Sequence, residues 1–164
     1  MVSFRVGEKV VHSPEGVCKI EGICQFEIDK SVKYYYILKP MQSESQRIYI
    51  SVDKMEKSVR PLKSKQELER IFCIEPEEKL VYYRNPQKRM NIQNQAVRED
   101  DAVMLIQLIK MYRRKRQTNH ISVGDARWLK EAENYLFSEM SEVLEYDYDL
   151  LLQCAQYNQK IMYA

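Results

Sequence analysis

Between Asp100 and Arg116 the chain reads Asp-Asp-Ala-Val-Met-Leu-Ile-Gln-Leu-Ile-Lys-Met-Tyr-Arg-Arg-Lys-Arg. Leu105, Leu108, Ile109 and Tyr112 recur at i, i+3, i+4 and i+7, which is one face of an α-helix. Val103, Met104, Ile106 and Met111 make most of the other faces apolar too. A helix apolar nearly all round is buried among other helices, so this segment predicts a bundle with itself at the centre. Asp100 and Asp101 at its start and Arg113, Arg114, Lys115 and Arg116 at its end suit the helix dipole. The basic end has two readings: the solvated terminus of a core helix, or a cluster presented to an anionic partner.

The flanking segments supply the bundle. Ser64 and Glu67 form a capping box for a short helix from Lys65 to Phe72. Cys73-Ile74-Glu75-Pro76 reads as a linker, and Glu77 to Tyr83 as a helical turn or two. Asn85-Pro86 places an N-cap and an N1 proline at the head of a helix ending near Arg98. Asn119-His120 breaks the central helix. Ser122 caps the next one, to about Leu144, with a stripe of Trp128, Ala132, Tyr135, Leu136, Met140 and Val143. A last helix from near Asp147 is expected to bury Leu150, Leu151, Cys154, Tyr157 and Ile161.

The first third has a different period. Lys9-Val10-Val11-His12 is a short strand, and Ser13-Pro14-Glu15-Gly16 is a turn. In Val17 to Ile28, Cys24, Phe26 and Ile28 alternate with Gln25 and Glu27. Asp29-Lys30-Ser31 breaks that run. Lys33 to Lys39, with three consecutive tyrosines, has the strongest strand propensity in the chain. Pro40 ends it, and a further strand follows from Gln46 to Ser51 with Ile48 and Ile50 on one face. Ser58 to Leu62 is placed to close the sheet. Short strands at this spacing predict a small SH3- or Tudor-like barrel. The fold class is therefore α+β: a barrel over residues 1–62, a short helix and linker over 63–76, and an all-α bundle over 77–164.

Four Gly and five Pro in 164 residues argue against a disordered or fibrous chain. No apolar run reaches the roughly 20 residues of a membrane span. The start lacks a signal-peptide core, so a cytoplasmic protein is expected. Cys18, Cys24, Cys73 and Cys154 form no Cys-x-x-Cys pair and read as reduced, packed thiols rather than a zinc site or disulfide framework. His12 and His120 have no nucleophile or metal-ligand partner nearby. Neither a Gly-rich phosphate loop nor a nucleophile elbow is present. The expectation is no enzyme, no metal, no cofactor and no small-molecule substrate.

The net charge of +2 hides an uneven distribution. Arg84, Lys88, Arg89, Arg113, Arg114 and Arg116 are opposed between Lys79 and Arg116 only by Glu99, Asp100 and Asp101. After residue 116 the balance turns acidic. A basic cluster is an electrostatic footprint for phosphates, so these residues, with Asn85 among them and Arg127 in the next helix, are candidate DNA contacts. Tyr82 and Tyr83, just before Arg84, could stack on bases or pack the linker onto the bundle.

The order of parts resembles the CarD-like bacterial transcription regulators. The opening Phe4-Arg5-Val6-Gly7-Glu8-Lys9-Val10-Val11-His12 with Pro14-Glu15-Gly16-Val17 carries the likeness. So do Tyr35-Tyr36-Ile37-Leu38-Lys39, Ile48-Tyr49-Ile50-Ser51-Val52-Asp53, Tyr112-Arg113-Arg114 and Ile121-Ser122-Val123-Gly124-Asp125-Ala126-Arg127. The resemblance implies a Tudor-like domain that binds the RNA polymerase β subunit. It also implies a nucleoid-associated helical domain that contacts upstream promoter DNA, with a Trp wedged into the minor groove of the open complex. Counting back from Tyr112-Arg113-Arg114, that Trp falls at Asn85, which cannot wedge; Trp128, the only Trp, reads as core. The family's polymerase-facing arginines fall near Phe26 and Tyr49. A more apolar contact is implied, with Arg47 and Ser51 on the same candidate edge. The alternative is a protein–protein adaptor on RNA polymerase whose helical domain binds protein rather than DNA.

Overall fold

The computed structural model describes residues 3–157; Ile161 lies outside them. The chain divides into two compact units, Met1–Leu62 and Lys63–Ala164.

The first unit is one antiparallel sheet of five strands: β1 (Lys9–His12), β2 (Gly16–Ile28), β3 (Ser31–Pro40), β4 (Ile48–Ser51) and β5 (Val59–Arg60). Its order is β4-β3-β2-β1-β5, and no pairing joins β4 to β5 among the described residues. It is thus an open sheet and not the closed barrel expected. The reason is visible in β5, where Pro61 ends the strand after only two residues and leaves too little to bridge the ends. A 3-10 turn (Val52–Lys54) and the one-turn helix α1 (Met55–Ser58), not foreseen from sequence, fill the space between β4 and β5. Met55 from α1 packs into a core of Val10, Cys18, Ile20, Tyr36, Leu38, Ile50 and Val59. Ile50 is buried and Ile48 packs against the same core, as the alternation predicts.

β2 and β3 form a long hairpin. Ile28 pairs with Ser31 across a two-residue turn in which Asp29 and Lys30 both take positive φ, 51° and 62°. That is the twist-matched turn for a tight hairpin, held here without glycine.

The second unit contains α2 (Lys65–Phe72), α3 (Pro86–Arg98), α4 (Ala102–Thr118), α5 (Val123–Leu144) and α6 (Tyr148–Tyr157). Each is capped as its sequence dictates. Ser64, Asn85, Asp101 and Ser122 accept backbone hydrogen bonds from the first turns of α2 to α5. Asp147 accepts one from Leu150 at the head of α6. Burying Leu105, Ile106, Leu108, Ile109 and Tyr112, α4 touches α2, α3, α5 and α6 and is the central helix expected. Trp128 is half-buried; its ring packs edge-on against Tyr112 at 5.6 Å. Leu151 and Cys154 are buried as expected, but Leu150 and Tyr157 face solvent. Cys73 is exposed rather than packed.

Residues 77–83 are not helical. Lys110, buried on α4, donates to the carbonyls of Phe72 and Ile74 and to Glu75. Arg114 pairs with Glu75 at 2.7 Å. These bonds hold residues 72–75 against α4, and the Tyr82 hydroxyl is bonded to Asp125; between them the Leu80 amide closes one turn onto the Glu77 carbonyl, where composition alone favours a longer helix.

Candidate protein and nucleic-acid interfaces

In the sheet, period-two alternation sorts β3 into two faces. Tyr36 and Leu38 enter the core, so Tyr35 and Ile37 point the other way. The registers Tyr35↔Ser51, Ile37↔Tyr49 and Cys24↔Tyr35 put Tyr49, Ser51, Cys24 and Phe26 on that outer face. Three rings meet there: Phe26 lies edge-on to Tyr35 at 5.4 Å and to Tyr49 at 5.9 Å. Phe26 is 46 % exposed and Tyr49 51 % exposed. An aromatic cluster half open to water has the make-up of an interface anchor. Phe26, Tyr49 and Ser51 thus share one face. Arg47 is committed locally: its Nε lies 2.6 Å from Glu21, and its guanidinium donates to the Glu44 and Gln46 carbonyls. Tyr35 was not singled out as a contact. A run of three tyrosines conceals which ring faces out, and only the strand register separates Tyr35 from Tyr36.

The helical unit places its basic residues around a polar node. Asp125, buried in the first turn of α5, accepts hydrogen bonds from four side chains. They come from Tyr82 at 2.6 Å, Ser122 at 2.6 Å, Gln93 at 2.7 Å and Arg89 at 2.8 Å. Burial alone would raise the Asp125 carboxyl, but these donors outweigh it and hold the group below its ordinary range. The Tyr82 hydroxyl is pushed up by burial and by its bond to Asp125. Its ring is 5.5 Å from Tyr112, with Arg89 at 4.5 Å over one face. The node therefore ties the segment 82–84, the start of α3, the end of α4 and the start of α5 together.

Several candidate DNA contacts are consumed inside the fold. Arg89 is buried and donates to Asp125 and to the Tyr83 and Arg84 carbonyls. Arg113 is buried against Glu133 and Gln156. Arg114 spends part of its guanidinium on Glu75. The Asn85 side chain is an N-cap, accepting from the Gln87 and Lys88 amides. Arg84, Lys88, Arg116 and Arg127 remain exposed. Lys88 lies 3.8 Å over the Tyr83 ring, and Lys115 lies 5.6 Å from the Tyr82 ring centre. The N-termini of α3 and α5 lie at the same end and add their dipoles to these cations.

Among the described residues no three His, Cys, Asp or Glu side chains converge as a metal site, and no helix is long and apolar enough to cross a membrane.

Residues 4–63 match the family described as the CarD-like/TRCF RID domain, a family of RNA polymerase-interacting domains. No curated protein matches the chain.

Proposed function

We propose, from the match of residues 4–63 to the CarD-like/TRCF RID domain, that this chain is a bacterial transcription regulator. It binds the β subunit of RNA polymerase through its sheet and upstream promoter DNA through its helical unit, and so modulates the lifetime of the open complex. It acts in the cytoplasm, at the nucleoid. The family match carries the polymerase part of this reading. The outer-face aromatic cluster offers the contact: Phe26, Tyr35 and Tyr49 supply buried area, and Ser51 a hydrogen-bonding neighbour. Support for DNA comes from the exposed Arg84, Lys88, Arg116 and Arg127 around helix ends joined by one polar node. Their attraction to phosphate is independent of base sequence. Stacking at this end falls to Tyr83 rather than to Asn85, whose side chain is spent on its helix.

One observation favours the adaptor reading instead. Arg89, Arg113 and Arg114 are engaged internally, so fewer cations reach solvent than composition suggests. The salt dependence of binding to a promoter duplex decides between the two. Four phosphate contacts give a slope of log affinity against log salt near about −3.6, at roughly −0.9 per contact. A slope near zero supports the adaptor. On the polymerase side, Tyr49→Glu in the full chain places a charge in the aromatic cluster and weakens capture of the β subunit. A folded Tyr49→Glu protein that binds β like the parent removes this face from the proposal.

A further inference from the structure

β4 is shorter than the strand it borders. It pairs with β3 only from Tyr35↔Ser51 to Leu38↔Ile48, and the chain then turns away through Val52–Lys54. The outer edge of β3 from Ser31 to Tyr34 consequently has no strand beside it among the described residues, although its other edge is paired with β2 as far as Ile28. Beside that edge, on the face that Ile23, Val32 and Tyr34 share, there is a depression of about 370 Å³, lined in part by these three and by Lys33, Val52 and Asp53. Its apolar members are open to water: Val32 is 56 % exposed, Tyr34 55 %, Ile23 51 % and Val52 40 %. Unpaired backbone beside exposed apolar side chains is a template for strand addition.

We propose that the Ser31–Tyr34 edge accepts an extended segment of a partner protein carrying an apolar–acidic–apolar triplet. The alternation of β3 dictates the pattern. Val32 and Tyr34 share one face, so the flanking residues of an added strand meet them there and enter the depression. Lys33 points to the opposite face, beside Phe26 in the register of the hairpin. A carboxylate at the middle position lies next to that ammonium, and opposite charges across a strand pair stabilise it whereas like charges oppose it. This edge lies beyond the end of β4, and the inference stands whether or not polymerase is the partner.

Amide chemical shifts of the full chain, titrated with two capped peptides, test this. One has the core Ser-Val-Glu-Val-Ser and the other Ser-Val-Lys-Val-Ser. The Glu peptide is expected to move the amides of Ser31 to Tyr34 and to bind about three- to tenfold more tightly than the Lys peptide. Lys33→Glu, an exposed change that the fold tolerates, is expected to reverse that order. Shifts confined to Ile48–Ser51, equal binding of both peptides by parent and variant, or no shift at millimolar peptide each overturn the proposal. So does a concentration-dependent shift of Ser31–Tyr34 without peptide. β2 itself carries Phe26-Glu27-Ile28, and that result would assign the edge to a second copy of the chain.

Discussion

Asp125 takes hydrogen bonds from Tyr82, Arg89, Gln93 and Ser122, and its removal does more than delete a charge. Asp125→Asn leaves the buried Arg89 without its counter-ion, a loss of about 3–5 kcal/mol for a broken buried pair. Because the folded carboxyl lies below its unfolded value, its contribution is complete above the unfolded pKa of roughly 3.9 and fades as pH falls through the folded one. Urea midpoints of parent and Asp125→Asn are expected to keep a constant gap from neutral pH down to the unfolded pKa of roughly 3.9 and to draw together as the pH is taken progressively below it. A gap that stays constant below that pKa too would deny the carboxylate this role. Asn85→Ala is expected to cost about 1 kcal/mol as a lost N-cap, with the salt slope of DNA binding unaltered. Trp128→Ala opens a space against Tyr112 and is expected to cost about 3 kcal/mol, the low end for a large aromatic because the ring is only half-buried.

At the scale of elements, the first turn of α3 tests which cations reach phosphate. Arg84→Glu with Lys88→Glu removes two exposed charges beside the N-terminus of that helix. Promoter affinity is expected to fall and the salt slope to flatten by about two units, with melting temperature nearly unchanged. If the slope stays as steep as in the parent, the DNA-facing surface lies elsewhere. The helices themselves were legible because each carries its own signals: Ser64 and Glu67, Asn85 and Pro86, and Ser122 stand where the caps are found. Residues 77–83 depart from the helix that composition favours because the stretch is held from far along the chain, by Lys110 and Arg114 on residues 72–75 before it and by Asp125 on Tyr82 near its end. The fate of each basic residue was equally hidden. Lys88 and Arg89 are neighbours of one type in sequence, yet helical rotation turns one to water and the other to Asp125. In the sheet, alternation placed Ile48 and Ile50 correctly, but β5 was too short to close a barrel. That Arg47 pairs with Glu21 was hidden too, because Glu21 sits at an irregularity in the β2–β3 register that composition does not reveal.

For the molecule as a whole, the proposed contacts fall in separate units, each with its own core. Lesions should then separate. Tyr49→Glu is expected to lower β-subunit binding while DNA affinity and salt slope stay at the parent values; the α3 double charge reversal should do the opposite. A variant that loses both together would point to one shared surface. The central position of α4 also sets a kinetic order. Four other helices lie against it, so its backbone amides meet deuterated solvent only when the whole unit opens. The amides of Leu105 to Ile109 would exchange last and all at one rate, a clock for complete opening of this unit, whereas those of Val32 and Tyr34, which antiparallel alternation turns to the open edge of β3, would exchange early in the same sample.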